Sequence, residues 1–181
     1  PIVSKIYFPE LNRKESLEKD LHYYFGSNWR ETVSPSPAGE AYIQRIRDVS
    51  AQSPELLVAH SYTRYLGDLS GGQILKGIAQ RAMNLEEGVG TSFYEFDAIS
   101  DEKAFKNTYR QALNELPIDQ TTADEIVEEA NDAFGLNMKL FKELEGNLIK
   151  GIGVMLFNTL TRRNRSRKNK NKEFATAEST N

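Results

Sequence analysis

The stretch that most constrains this chain runs from Ala59 to Lys76. It has the periodicity of a helix interior, yet it carries Gly67, Gly71 and Gly72, with Gly77 just beyond. Each glycine inside a helix costs roughly 0.5–1 kcal/mol relative to alanine, so four in one element cost a few kcal/mol. A helix keeps such residues when something flat or bulky must lie close to its backbone. Gly67 and Gly71 are four apart and share a face, with Arg64 and Asp68 on or beside it. The pattern predicts a bare strip of helix flanked by a cation and a carboxylate. A second helix packed tightly on the strip is the competing explanation.

At 181 residues the chain has the length of one domain, or of one domain with a tail. The longest uncharged apolar run, Gly151 to Leu160, is too short to span a membrane. No N-terminal signal pattern is present. There are no cysteines, which excludes disulfides, thiolate metal sites and cysteine nucleophiles. With His22 and His60 as the two histidines, a multi-histidine metal site is not expected. Residues 161–181 carry a net charge of +5 and the rest of the chain −8. An acidic body with a basic end does not suit a nucleic-acid-binding domain. The expectation is a helical domain over 1–163 and a solvated, basic, disordered tail over 164–181. Contact of that tail with an acidic partner or membrane surface is the alternative.

Nearly every periodic segment is helical. Residues 10–25 place Leu17, Leu21, Tyr24 and Phe25 on one side, and Gly26 follows as a stop signal. Ser34 to Pro37 reads as a loop. Residues 38–51 repeat apolar positions at Ile43, Ile46 and Val49. Pro54 suits the start of a helix that runs to about Met83, roughly 45 Å at about 1.5 Å per residue, bent or kinked near Gly67 to Gly72. A turn region surrounds Gly88 and Gly90. Ser100 is placed to N-cap a helix over 101–116, which Pro117 ends. Thr122-Ala123-Asp124-Glu125 reads as a capping box for a long helix through Phe134, Phe141 and Leu144. Gly146 is expected to break it before a last helical stretch over 148–163. Ser92 to Phe96 offers the one weak strand pattern. The sum is an all-α, bundle-like fold.

Several motifs carry chemistry. Leu69-Ser70-Gly71-Gly72-Gln73 spells the signature of transporter-type ATPase cassettes, but no phosphate-binding G-x-x-x-x-G-K-[ST] accompanies it. Lys106 and Arg110, four apart, form a basic patch able to meet a dianionic ligand; a solvated face is the ordinary alternative. Phe134, Asn137 and Phe141 share one helix face, which is more often core than a ligand wall. Asp68 taken alone would be a solvated carboxylate, and His60 a hydrogen-bonded core residue.

Together these residues resemble the heme oxygenase family. Ala59-His60-Ser61-Tyr62-Thr63-Arg64-Tyr65-Leu66-Gly67-Asp68-Leu69-Ser70-Gly71-Gly72-Gln73 is similar to that family's distal-helix signature almost residue for residue. Phe105-Lys106-Asn107-Thr108-Tyr109-Arg110 resembles its propionate-binding helix, and Ala133-Phe134-Gly135-Leu136-Asn137 its heme-wall helix. Ile6-Tyr7-Phe8-Pro9-Glu10-Leu11 looks most like the soluble cyanobacterial and plastid-type members. The resemblance covers roughly 1–163 and implies a helical bundle that cleaves heme to biliverdin, carbon monoxide and ferrous iron. It implies heme b as substrate and prosthetic group, dioxygen, and an external electron donor such as reduced ferredoxin, in the cytoplasm or plastid stroma. Gly67 and Gly71 would let the helix lie on the heme. Asp68 would order the water that delivers protons, and Arg64 and Tyr62 would support it. Lys106 and Arg110 would pair with the propionates, with Phe134, Phe141 and Asn137 along the porphyrin.

The family's proximal histidine lies on an N-terminal helix upstream of anything resembling Pro1, and neither His22 nor His60 matches it. The resemblance therefore implies an N-terminally truncated bundle with no metal ligand of its own, which would expose apolar surface and bind heme weakly by itself. Two further readings stand beside the enzyme: a non-catalytic heme- or tetrapyrrole-binding module, and a purely structural helical protein. Heme titration separates the last from the others, and biliverdin formation separates the first two.

Overall fold

The computed structural model describes residues 2–143, and every described regular element is helical. Short 3-10 turns at Ile2–Ile6 and Pro9–Leu11 lead into α1, Lys14–Phe25. Gly26 ends α1 with φ +78°, a conformation that suits glycine, as its position in the sequence predicts. Then follow α2, Trp29–Thr32, and α3, Pro37–Gln52. Ser36 caps α3 through its side-chain oxygen, which accepts from Gly39 N, and Pro37 occupies the first turn.

The glycine-bearing segment is a continuous helical path with a defect in it. A 3-10 turn at Pro54–Leu56 enters α4, Leu57–Gly67; a π-helical turn spans Asp68–Gly72; α5, Gln73–Met83, continues from it. The expected long helix is present, and its irregularity at the glycines takes the form of a π turn. Such a turn fits one extra residue into the ladder and rotates the following side chains relative to a plain α-helix. After a 3-10 turn at Ser92–Tyr94 come α6, Glu102–Asn114, and α7, Gln120–Glu143.

Several sequence expectations need correction. Ser100 does not cap α6: the Asp101 carboxylate does, accepting from Lys103 N and Ala104 N at 2.9 Å each. Thr122 does not open α7 as a capping box: the helix begins earlier, and the Asp119 carboxylate accepts from Thr122 N at 2.8 Å. The cap is chosen by whichever side chain stands at the first free N–H, and Asp at that position outcompetes the later motif. Ser92–Tyr94 is a helical turn, not a strand. Ile43 and Ile46 are exposed, and α3 instead buries Ala38, Tyr42 and Val49. On α1, Leu17, Tyr24 and Phe25 are also exposed, while Asp20 is buried. The expected break at Gly146, the last helix over 148–163 and the basic tail over 164–181 lie outside the described residues.

The main apolar core gathers Ile6, Leu11, Val58, Leu66, Leu69, Phe96, Tyr109 and Leu116. It draws on the N-terminal turns, α4, the π turn and α6, so the glycine segment is held from behind by buried side chains. Tyr109 is fully buried and its hydroxyl lies 2.6 Å from Ser61 Oγ. Burial pushes its phenol up to about 12. Alanines 59 and 133, both fully buried, let α4 and α7 approach closely.

Candidate functional site

Gly67 and Gly71 face open space. A Cβ built on either would meet nothing within 4 Å, whereas one on Gly72 would lie 3.0 Å from the Tyr94 ring. Only Gly72 is therefore explained by close packing against a described neighbour. Among the described residues no helix packs on the strip at Gly67 and Gly71, so none of them accounts for those two glycines.

Asp68 stands at the start of the π turn and is buried, with 7% exposure. It is not a solvated carboxylate. Its Oδ2 accepts from Arg13 Nη2 at 2.7 Å, and its Oδ1 lies 3.5 Å from Arg64 Nη1, one turn back on α4. Arg64 donates its Nη2 to Asn137 Oδ1, and Asn137 Nδ2 in turn donates to Tyr42 Oη at 3.2 Å and to Ala133 O at 2.9 Å. The structure thus brings together Arg13, the Arg64–Asp68 pair and Asn137 from three widely separated stretches. Lys106 on α6 reaches the same turn, donating to Leu69 O at 3.3 Å.

The other expected residues are placed more loosely. Arg110 is exposed and touches Asn107 Oδ1 at 3.5 Å. Phe134 and Phe141 are exposed on α7, at 52% and 36%, which is not how core aromatics sit. Tyr62 is 41% exposed and lines a groove of about 340 Å³ with Val58, Leu113, Leu116, Ile126 and Val127. Sequence reasoning missed Arg13 and Tyr42. Their partners are 55 and 95 positions away, a separation that helical periodicity cannot register.

Neither histidine is hydrogen-bonded to this cluster, although the His60 ring lies 5.6 Å from that of Tyr42, centroid to centroid. His60 is buried, and its Nε2 lies 2.9 Å from Glu129 Oε1. His22 is exposed on α1. Glu129 is buried, and Arg45 donates to it through Nε, at 3.0 Å, and Nη2. Burial by itself raises the Glu129 carboxyl, but hydrogen bonds from Arg45 and His60 outweigh it, and the group lies below its ordinary 4.5. The folded chain therefore binds that proton less well than the unfolded chain. The resulting stability is present above about pH 4.5 and is lost as pH falls through the lower folded value. Glu129→Gln should melt lower than the native chain at pH 7, by the equivalent of about 1–3 kcal/mol. That gap should close below about pH 4.5. Thermal melts between about pH 3 and 7 check it, and a gap that persists at the acid end would contradict it.

The arrangement suits one face of a flat, anionic ligand. A bare helix strip allows close approach, a buried carboxylate with two arginines stands beside it, and an amine reaches the same turn. No described helix is long and apolar enough to cross a membrane, and no group of three or more metal-ligating side chains occurs among the described residues.

Comparison with known proteins shows the family. A heme oxygenase family profile matches residues 1–143. Heme oxygenase 1 of Synechocystis sp. is 74% identical over 163 residues, which is 90% of this chain and 68% of that protein. Heme oxygenase 1 of Nostoc sp. is 70% identical over 178 residues, 98% of this chain and 74% of that one. Among solved structures, heme oxygenase-1 from Synechocystis in complex with heme superimposes with a TM-score of 0.77 at 73% identity, covering 88% of this chain and 72% of that one. Heme oxygenase-2 from the same organism, in complex with heme and NO, gives 0.78 at 50% identity, covering 89% and 67%. With the family's helical fold, a profile match across every described residue and identities of 70–74%, this chain belongs to the heme oxygenase family.

Proposed function

We propose that this chain takes part in the oxygen- and reductant-dependent cleavage of heme to biliverdin, carbon monoxide and ferrous iron, and that its described residues form the oxygen-side wall of the heme pocket. The observation that carries this is the open strip at Gly67 and Gly71 beside a buried, doubly arginine-flanked Asp68. Bound heme supplies the iron at which dioxygen is reduced and is itself the substrate consumed.

The chain's own residues would do the following. Gly67 and Gly71 set the distance between helix and macrocycle and so restrict which edge carbon is reached. Arg13 donates to Asp68 Oδ2, while Oδ1 lies beyond direct bonding distance from Arg64 and keeps acceptor capacity. That atom would hold and pass a proton through ordered water. Asn137 and Tyr42 fix Arg64 in turn. Tyr62, Phe134 and Phe141 would lie against the porphyrin, their exposure here supporting such a role. A reduced ferredoxin would serve as the donor, in the cytoplasm or a plastid stroma.

Lys106 and Arg110 would pair with the two propionates. A charge-assisted hydrogen bond to a carboxylate is worth roughly 1.5–3 kcal/mol. Replacing both residues by alanine should weaken hemin binding about tenfold or more, or let heme rotate in its plane and change the biliverdin isomer ratio. Unchanged affinity together with an unchanged ratio would count against the pairing.

The whole reading is tested by hemin titration followed by reductant and dioxygen. The assay uses the full-length protein. Heme absorbance followed by biliverdin is expected. Heme binding without biliverdin would replace the enzyme with a tetrapyrrole-binding module, and no binding at all would overturn both.

A further inference from the structure

Arg13 stands just before α1, 55 positions from Asp68, yet its side chain is 5% exposed. Its guanidinium is held on several sides. Nη1 donates to Phe93 O at 3.0 Å, and Cζ lies 4.1 Å from the Phe93 ring centroid and 4.5 Å from that of Phe96. The Phe93 carbonyl is fixed in turn, because the buried Asp20 carboxylate accepts from Ser92 N at 2.9 Å and Phe93 N at 2.8 Å. Gln73 Nε2 donates to Tyr94 O at 2.7 Å, and Lys76 pairs with Glu95 at 2.9 Å. The 92–95 turn is thus clamped from α1 and from α5; it presents the Phe93 carbonyl and ring to Arg13, and Phe96 just beyond it adds a second ring.

We infer that Arg13 is a positioning residue for Asp68: braced by the turn at Ser92–Tyr94, it holds Oδ2 and so fixes which carboxylate oxygen is left to work in the heme pocket. The inference rests on the role proposed for Asp68 above. The two arginines beside Asp68 are not equivalent. Arg64 is 36% exposed, stands 3.5 Å away and is shared with Asn137. Arg13 is buried, makes a 2.7 Å bond, and its other terminal nitrogen is tied to a backbone carbonyl, so it has one orientation available. A buried pair with that geometry is a fixed element, while an exposed one is screened and mobile. The charge cluster also includes Tyr94, whose phenol is raised first by burial and then by Asp68, against the opposing charges of Arg64 and Arg13. Lysine could not reproduce the arrangement, because a single ammonium cannot span Asp68 and the Phe93 carbonyl as a planar fork does.

The test compares Arg13→Met, Arg13→Lys, Asp68→Asn and the Arg13→Met/Asp68→Asn double variant in the heme-loaded full-length protein. The readouts are far-UV circular dichroism, hemin affinity, the pH midpoint of the ferric heme spectrum, and biliverdin yield per heme. Arg13→Met is expected to keep its helical spectrum and bind hemin within about threefold of the parent. Its spectral midpoint should move by about half a unit or more, and biliverdin yield should fall on the order of tenfold. Arg13→Lys should recover part of both. In the Asp68→Asn background, Arg13→Met should add little to either. An unmoved midpoint and normal yield in Arg13→Met would overturn the inference, as would effects just as large in the Asp68→Asn background. If Arg13→Met does not fold, Arg13→Lys decides: a parental midpoint and yield sink the inference, and an intermediate shift sustains it. Normal biliverdin from Asp68→Asn alone would instead remove the role of Asp68 itself, so the two failures are distinguishable.

Discussion

Asp68→Asn should bind heme and yet form biliverdin about 100-fold more slowly or worse, which is the scale of losing a positioned proton-transfer group. The amide matches the carboxylate in shape and can still accept from Arg13, so the pocket is retained while the basic oxygen is lost. Asp68→Ala should show the same chemical defect with a second consequence. It leaves the buried Arg13 guanidinium without its partner, and breaking such a pair costs up to about 3–5 kcal/mol. The bond to Phe93 O and the ring contacts soften that loss. The two variants thus separate catalysis from folding: both stop short of product, and the alanine variant alone melts markedly earlier. Hemin titration, single-turnover absorbance and thermal melts make the comparison. A normal biliverdin yield from either variant would remove Asp68 from the mechanism.

Substitution on the glycine strip should have opposite effects with and without ligand. Gly67 has φ −61° and ψ −50°, ordinary helical values, and a Cβ there meets nothing within 4 Å. Gly67→Ala should therefore stabilise the heme-free protein by about 0.5–1 kcal/mol, because the unfolded chain loses freedom and the folded one pays no steric cost. A larger side chain at the same place would occupy the open space that we propose the macrocycle takes. Gly67→Leu should leave the heme-free melt near that of the parent and weaken hemin binding on the order of 100-fold, a few kcal/mol of lost contact. Gly71→Leu should behave similarly. If Gly67→Leu destabilised the heme-free protein and left heme affinity alone, the strip would be a packing surface and not a ligand face.

Much of this molecule is legible along the chain. The helical class, the stop at Gly26 and the irregularity at Gly67 to Gly72 all follow from local rules: backbone freedom and the 3.6-residue period. The candidate site was also visible there, because four glycines in one helix carry a cost that calls for an explanation, and because Arg64 and Asp68 fall within the same signature. Where two local signals competed, the sequence pattern misled. Asp101 and Asp119 took the caps assigned to Ser100 and Thr122, and Ile43 and Ile46 satisfied an apolar period without being buried.

By itself, then, the sequence determined which segments are helices, where the backbone is bare, and which residue types stand beside it, since each of these depends on neighbours within a few positions. Tertiary structure alone decided that Asp68 is paired with Arg13 and not solvated, that Asn137 and Tyr42 anchor Arg64, and that Glu129 and Arg45 gather around His60. It also decided that Phe134 and Phe141 are exposed where their spacing suggests a core. These contacts join residues 55 to 95 positions apart. A periodic pattern reports the amphipathicity of one helix; it holds no term for which other helix supplies the charge or hydroxyl that meets it.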